Sequence, residues 1–164
     1  PMLETGIHEI DLCRWYMEDE VTKVYARKIN VLNPEIADTY WVVLTFSHGG
    51  IAVVETSWLL PDRAPTELNS TVEVIGSRGV AYIESPSDSM PIWTEKRSEY
   101  PDIFFWPVID GHALGTVRRM LEYFARCVLK REPQRKVSFK DVRASIRIAL
   151  AAVESAEKER EISL

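Results

Sequence analysis

Apolar positions along this 164-residue chain change period twice, from helical to alternating and back. Over residues 4–17 the spacing predicts a helix: Leu3, Ile7, Ile10, Arg14 and Met17 recur every three or four residues, and the Arg14 stem can lie along apolar surface. Glu18, Asp19 and Glu20 end that pattern. From Val21 the period falls to two. Val21–Val31 is β-branched and alternating, and Asn33-Pro34-Glu35 breaks it. Thr39–Ser47 and Ile51–Leu60, joined by His48-Gly49-Gly50, read as a hairpin of two strands. Pro61–Pro65 is a loop. Asn69–Ile75 and Val80–Glu84 predict a second hairpin around Gly76-Ser77-Arg78-Gly79. A loop over 85–91, a short edge strand over Ile92–Glu95 and an irregular stretch over 96–110 follow. Helical spacing then returns. Val117, Met120, Leu121, Phe124 and Val128 form one apolar face, closed by Pro133. Ser138, with Asp141 three residues on, caps a last helix faced by Val142, Ile146, Ala149, Leu150 and Val153. Ile162 and Leu164 add a terminal strand.

Strands grouped between helices, rather than alternating with them, predict an α+β fold: a mostly antiparallel sheet with helices packed on one face. The strand 40–46 puts Tyr40, Val42, Leu44 and Phe46 on one face and Trp41 and Val43 on the other. In 51–60, Ile51, Val53 and Leu59 oppose Ala52, Val54, Trp58 and Leu60. Both faces are apolar, so both call for cover. Three helices suffice for one. The other needs a partner domain or a second subunit, unless the sheet folds over itself.

Composition narrows the classes. The chain is 46% apolar and 27% charged, which suits a folded domain rather than a disordered one. Its 25 acidic and 20 basic residues leave a net charge of −5, with no basic stripe interleaved with aromatics, so a nucleic-acid partner is not expected. Cys13 and Cys127 lie far apart in apolar segments and are expected as reduced, buried thiols. No apolar run is long enough to span a membrane and no signal peptide is present, so the expected location is cytoplasmic, with no membrane partner. Pro1 is not an initiator Met and a helical pattern starts almost at once; the expectation is a piece of a longer protein.

Candidate chemistry is confined to the first helix. At ~100° per residue, Glu4, His8, Asp11 and Trp15 share one side of it, next to the apolar stripe. An imidazole between two carboxylates can hold and pass a proton near neutrality. Acids near a helix N-terminus also have a purely electrostatic reason to be there, and a helical His is often structural. The same stripe offers one His and two carboxylates to a metal, but no further ligand cluster supports one, and no metal is expected. No G-x-G-x-x-G or P-loop occurs. Ser57 and Ser155 lie in no nucleophile elbow, and His48 and His112 suit turn and helix-start roles.

The run PMLETGIHEIDLCRW resembles the segment that opens the C-terminal domain of the Gfo/Idh/MocA (glucose-fructose oxidoreductase / inositol dehydrogenase-like) family, which reads roughly G-P-L-x-D-x-G-x-H-x-x-D. The resemblance continues through VVLTFSHGGIAVVETSWLLP, TVEVIGSRGVAYIE and the tail FKDVRASIRIALAAVESAEKEREISL, and so covers essentially the whole chain. It implies that residues 1–164 are one C-terminal domain with an open, mostly antiparallel sheet, supplying substrate contacts and an oligomer interface. An N-terminal Rossmann domain would bind NAD or NADP and supply a catalytic Lys. On this sequence His8 matches the family's acid/base and Glu4 the acid beside it, where the family usually has Asp. Asp11 matches a recurrent acid, and Trp58 and Arg63 are candidate substrate-lining residues. The resemblance implies an NAD(P)-dependent dehydrogenase for a sugar, polyol or related hydroxy compound. A non-catalytic binding or assembly module of the same fold is the alternative, favoured by the Glu at position 4. A metal-dependent lyase or isomerase rests on the acid–His–acid stripe alone.

Overall fold

The alternating stretch of sequence forms the sheet expected of it. The computed structural model describes residues 1–66, 68–85, 90–101 and 107–164, so the loops expected over 85–91 and 96–110 fall partly outside it. In chain order the elements are α1 (Ile7–Met17), β1 (Val21–Ile29), β2 (Thr39–Phe46), β3 (Ile51–Ser57), β4 (Ser70–Gly76), β5 (Gly79–Ser85), β6 (Ile92–Trp93), β7 (Ser98–Glu99), β8 (Val108–Ile109), β9 (His112–Ala113), α2 (Gly115–Lys130), α3 (Phe139–Lys158) and β10 (Ile162–Ser163). They divide into two units, 1–59 with 135–164, and 60–134.

The first unit holds a four-stranded antiparallel sheet in the order β10-β1-β2-β3. Along β2 the predicted alternation is exact in sense: Tyr40, Val42, Leu44 and Phe46 are buried, Trp41 and Val43 exposed. The buried face joins Val24 and Ala26 of β1, Val54 of β3, Ile10 of α1 and Ile148, Ala149 and Ala152 of α3 in one core. Each fully buried aliphatic side chain there contributes on the order of 2 kcal/mol. The small residues of α3 let that helix lie close on β1. Ser138 caps α3 as predicted, its hydroxyl accepting the Asp141 N–H at 3.0 Å.

The opposite face stays open. Cross-strand pairing aligns Tyr25 with Val43 and Val43 with Val53, flanked by Trp41 and Ile51, and all five side chains are exposed.

Ser155 explains how the sheet edge is finished. The register Lys23↔Ser163, Val24↔Ile162, carried two residues on, sets Ala26 opposite Arg160, where β10 no longer pairs. The Ser155 hydroxyl fills that step. It accepts the Ala26 N–H at 2.9 Å and donates to the Arg160 carbonyl at 2.6 Å, with no exposed surface of its own. Ser155→Ala leaves a buried N–H without an acceptor. The expected cost is about 2 kcal/mol, read as a lower urea midpoint at unchanged slope.

The second unit departs from the expected single sheet. Among the described residues, β4 and β5 pair only with each other, from Ser70↔Ser85 to Gly76↔Gly79, and β6-β7 and β8-β9 form two further ribbons. The edge strand predicted at 92–95 is thus half of a short ribbon with Ser98–Glu99. Helix α2 runs to Lys130 and ends on Arg131 in a left-handed conformation, two residues before Pro133.

Candidate active site

The helix that carries Glu4, His8 and Asp11 is set down on the sheet by its first turn. Residues Met2–Gly6 form a π-turn in which the N–H groups of Glu4, Thr5 and Gly6 all point at the Pro1 carbonyl, at 3.1, 2.8 and 3.2 Å. The Thr5 hydroxyl donates to the same carbonyl at 3.1 Å and accepts from the Thr56 hydroxyl of β3 at 3.1 Å. A Cβ on Gly6 would stand 3.1 Å from the Thr56 methyl and overlap the Met2 side chain, so a glycine lets the helix start lie this close to β3. Glu4 therefore sits in the π-turn rather than in α1, and the even ~100° step that placed it beside His8 does not hold through that turn.

The rest of α1 is fixed from its inner side. Arg14, placed by its spacing on the apolar stripe, is buried together with its guanidinium rather than reaching to water. That group meets Glu20 at 3.1 Å, the Asp141 carboxylate at 3.5 Å and its carbonyl at 3.3 Å, and the Ser145 hydroxyl at 3.4 Å. Two further groups line this inner side. Burial pushes the Glu9 carboxyl above the usual carboxylate range, against the pull of its own N–H and of His8, and its Oε2 is buried without a partner. Burial, and then the Glu9 charge, pushes the Cys13 thiol up. Burial thus disfavours the charged form of both groups. Cys13 and Cys127 are unpaired, as the sequence predicts.

On the outward side of the helix, Glu4, His8, Asp11 and Trp15 are all exposed, with Leu3 also facing out. No hydrogen bond or ion pair joins Glu4 to His8. Asp11 does have a partner: its Oδ1 accepts the Ser145 hydroxyl at 2.9 Å and lies 3.9 Å from Arg14. Trp58 follows β3, half-exposed, with its N–H donating to the Asp38 carbonyl at 2.9 Å. Asp38 in turn takes the Val31 and Leu32 N–H groups on its Oδ2, and those bonds hold its carboxyl below the usual range. Arg63 is exposed in the loop after Pro61, in the second unit. Among the described residues, no three His, Cys, Asp or Glu side chains are grouped to hold a metal ion, and no helix is long and apolar enough to cross a membrane.

Sequence spacing missed Arg14's partners and Ser145. A charged residue on the buried stripe was the one available signal for the first. Nothing local marks Ser145, which lies 134 positions from Asp11.

Comparison with known proteins places the chain in a family. The profile of the GFO/IDH/MocA C-terminal domain matches residues 1–82. The chain is 26% identical over 167 aligned positions to myo-inositol 2-dehydrogenase of Thermotoga maritima, covering 99% of this chain and 48% of that protein. It is 36% identical over 88 positions to the uncharacterized oxidoreductase YrbE of Bacillus subtilis, covering 51% of this chain and 25% of that one. Among solved structures, GenD2 from gentamicin A biosynthesis, in complex with NAD, has the same fold with a TM-score of 0.75 at 21% identity, over 97% of this chain and 46% of that one. Scyllo-inositol dehydrogenase of Lactobacillus casei, with bound NAD(H) and scyllo-inositol, aligns with a TM-score of 0.71 at 19% identity, over 99% of this chain and 47% of that one. The chain thus spans about half the length, or less, of the curated relatives it matches. It belongs to the GFO/IDH/MocA family and corresponds to that family's C-terminal domain.

Proposed function

We propose that this chain is the substrate-side half of an NAD(P)-dependent dehydrogenase acting on a sugar, polyol or related hydroxy compound, with His8 as its acid/base. The observation that carries this reading is the outward side of α1. His8 and Asp11 are presented to solvent there, one helical turn apart, by a helix whose inner side is anchored by Arg14 and by the Thr5–Thr56 pair. An exposed imidazole on a fixed backbone can reach a substrate hydroxyl without a change in the fold. The names of the relatives, inositol dehydrogenases among them, supply the substrate class.

In this reading His8 takes the hydroxyl proton on a ring nitrogen during oxidation and returns it to the carbonyl oxygen in reverse. A nicotinamide cofactor supplies the hydride chemistry when bound. Glu4, which no hydrogen bond or ion pair joins to His8, acts on the charged imidazole through its charge alone, and Asp11 and Trp58 contact the substrate. The sequence has no G-x-G-x-x-G, and Gly49, Gly76, Gly79 and Gly111 belong to hairpin turns. The cofactor, NAD or NADP, and the remaining catalytic group therefore fall to a Rossmann domain N-terminal to this chain, and residues 1–164 act as one C-terminal domain beside it. The location is cytoplasmic, in keeping with two unpaired thiols.

Two measurements test the reading. The gene sequence upstream of Pro1 is expected to encode a Gly-rich strand–helix–strand start; a natural protein beginning near Pro1 contradicts the dehydrogenase role. The exposed row Tyr25, Trp41, Val43, Ile51 and Val53 is the face we assign to a second copy of the protein. Light scattering of the full-length protein is expected to give a dimer or larger, and Trp41→Glu a smaller species. A wild-type monomer at micromolar concentration contradicts that assignment.

A further inference from the structure

Ser145 links the core of the fold to the outward side of α1. It sits on α3, only 2% exposed. Its hydroxyl accepts from Arg14 Nη1 at 3.4 Å and donates to Asp11 Oδ1 at 2.9 Å. A guanidinium can only donate, so the single hydroxyl proton is committed to Asp11. Asp11 is not needed to balance Arg14, because Glu20 and Asp141 lie nearer, at 3.1 and 3.5 Å against 3.9 Å. Three carboxylates around one guanidinium leave negative charge to spare, and the half-exposed Asp11 carries it outward, on the side of His8. Its second oxygen has no partner among the described residues.

We propose that Ser145 is a positioning residue: by holding Asp11 Oδ1 inward, it turns the other carboxylate oxygen toward the site, where it accepts a hydroxyl of the polyol substrate other than the one His8 serves. The proposal rests on the reading that Asp11 contacts substrate. A free Asp side chain samples several rotamers, and only some of them present an oxygen to a ligand. The buried hydroxyl selects one in advance, so less ordering remains to be done on binding.

The test is a double-mutant cycle in the full-length protein, with myo-inositol, or the cyclic polyol that supports turnover best, as the probe. Ser145→Ala is expected to raise the substrate KM about tenfold while kcat and the cofactor KM stay within about twofold. In an Asp11→Asn background the same substitution is expected to add nothing, since it acts through the group already changed. Ser145→Cys, close in shape but a weak donor, is expected to reproduce the KM rise and carries the test if the alanine variant folds poorly. Equal losses in both backgrounds, or an unchanged KM where Asp11→Asn alone raises it, would overturn the positioning role. An Asp11→Asn protein with wild-type KM removes the substrate role of Asp11 and this proposal with it, while leaving the acid/base role of His8 standing.

Discussion

Replacing Arg14 with leucine is expected to destabilise the protein by about 3 kcal/mol. The guanidinium is 7% exposed and holds together the end of α1, the start of β1 through Glu20, and the first two turns of α3 through Asp141 and Ser145. Leucine fills much of the stem's volume but leaves three carboxylates facing one another without a cation. Fully buried, that would cost more. Here the acids retain about half their exposure and partly rehydrate, which keeps the figure at the low end for a broken buried pair. The Arg14 Nε is buried without a partner, so the cluster does not fully offset the desolvation of its own cation. Neutralising Glu20 and Asp141 as well, by Glu20→Gln and Asp141→Asn, is therefore expected to recover part of the loss. Urea denaturation checks this through a lower midpoint at constant slope. A shift below about 1 kcal/mol would mean that the guanidinium reaches water in solution.

The same residue marks how far the sequence could be read. Period alone located α1, the buried face of β2, the hairpin to β3 and the Ser138 cap, because each is decided by neighbours within a turn or a strand pair. It also put Arg14 on the inner stripe. What it could not supply was the company Arg14 keeps, because Asp141 and Ser145 lie more than a hundred residues away and reach it only once α3 has packed. Ser155 is similar. In the sequence it is a hydroxyl in a helix, and only the early end of β10 gives it the Ala26 N–H to satisfy. The β4-β5 hairpin was legible as a pair, but its separation from the β10-β1-β2-β3 sheet among the described residues was not: strand propensity predicts that a segment is extended, not which sheet it joins. At the site, the His8–Asp11 side of α1 was legible as a helical stripe. The π-turn was not, since the close seat of Gly6 on Thr56 that accompanies it joins residues fifty positions apart.

The largest expected effect on activity is that of His8→Ala. The side chain is exposed and has no hydrogen bond or ion pair among the described residues, so its loss leaves no buried group unpaired. Alanine is also the better helix former. Stability should therefore hold, and any loss of turnover reports chemistry rather than folding. Removing a positioned acid/base lowers a rate by ~100-fold or more, whereas cofactor affinity, which the proposed reading assigns to a Rossmann domain, should hardly change. The most direct measurement of the account is thus the turnover of full-length His8→Ala on myo-inositol or the best cyclic polyol, beside its dissociation constant for the nicotinamide cofactor. The account predicts a turnover lower by ~100-fold or more with that constant within about twofold of wild type. Wild-type turnover in the variant would contradict it and remove His8, and with it the reading of α1 as half an active site.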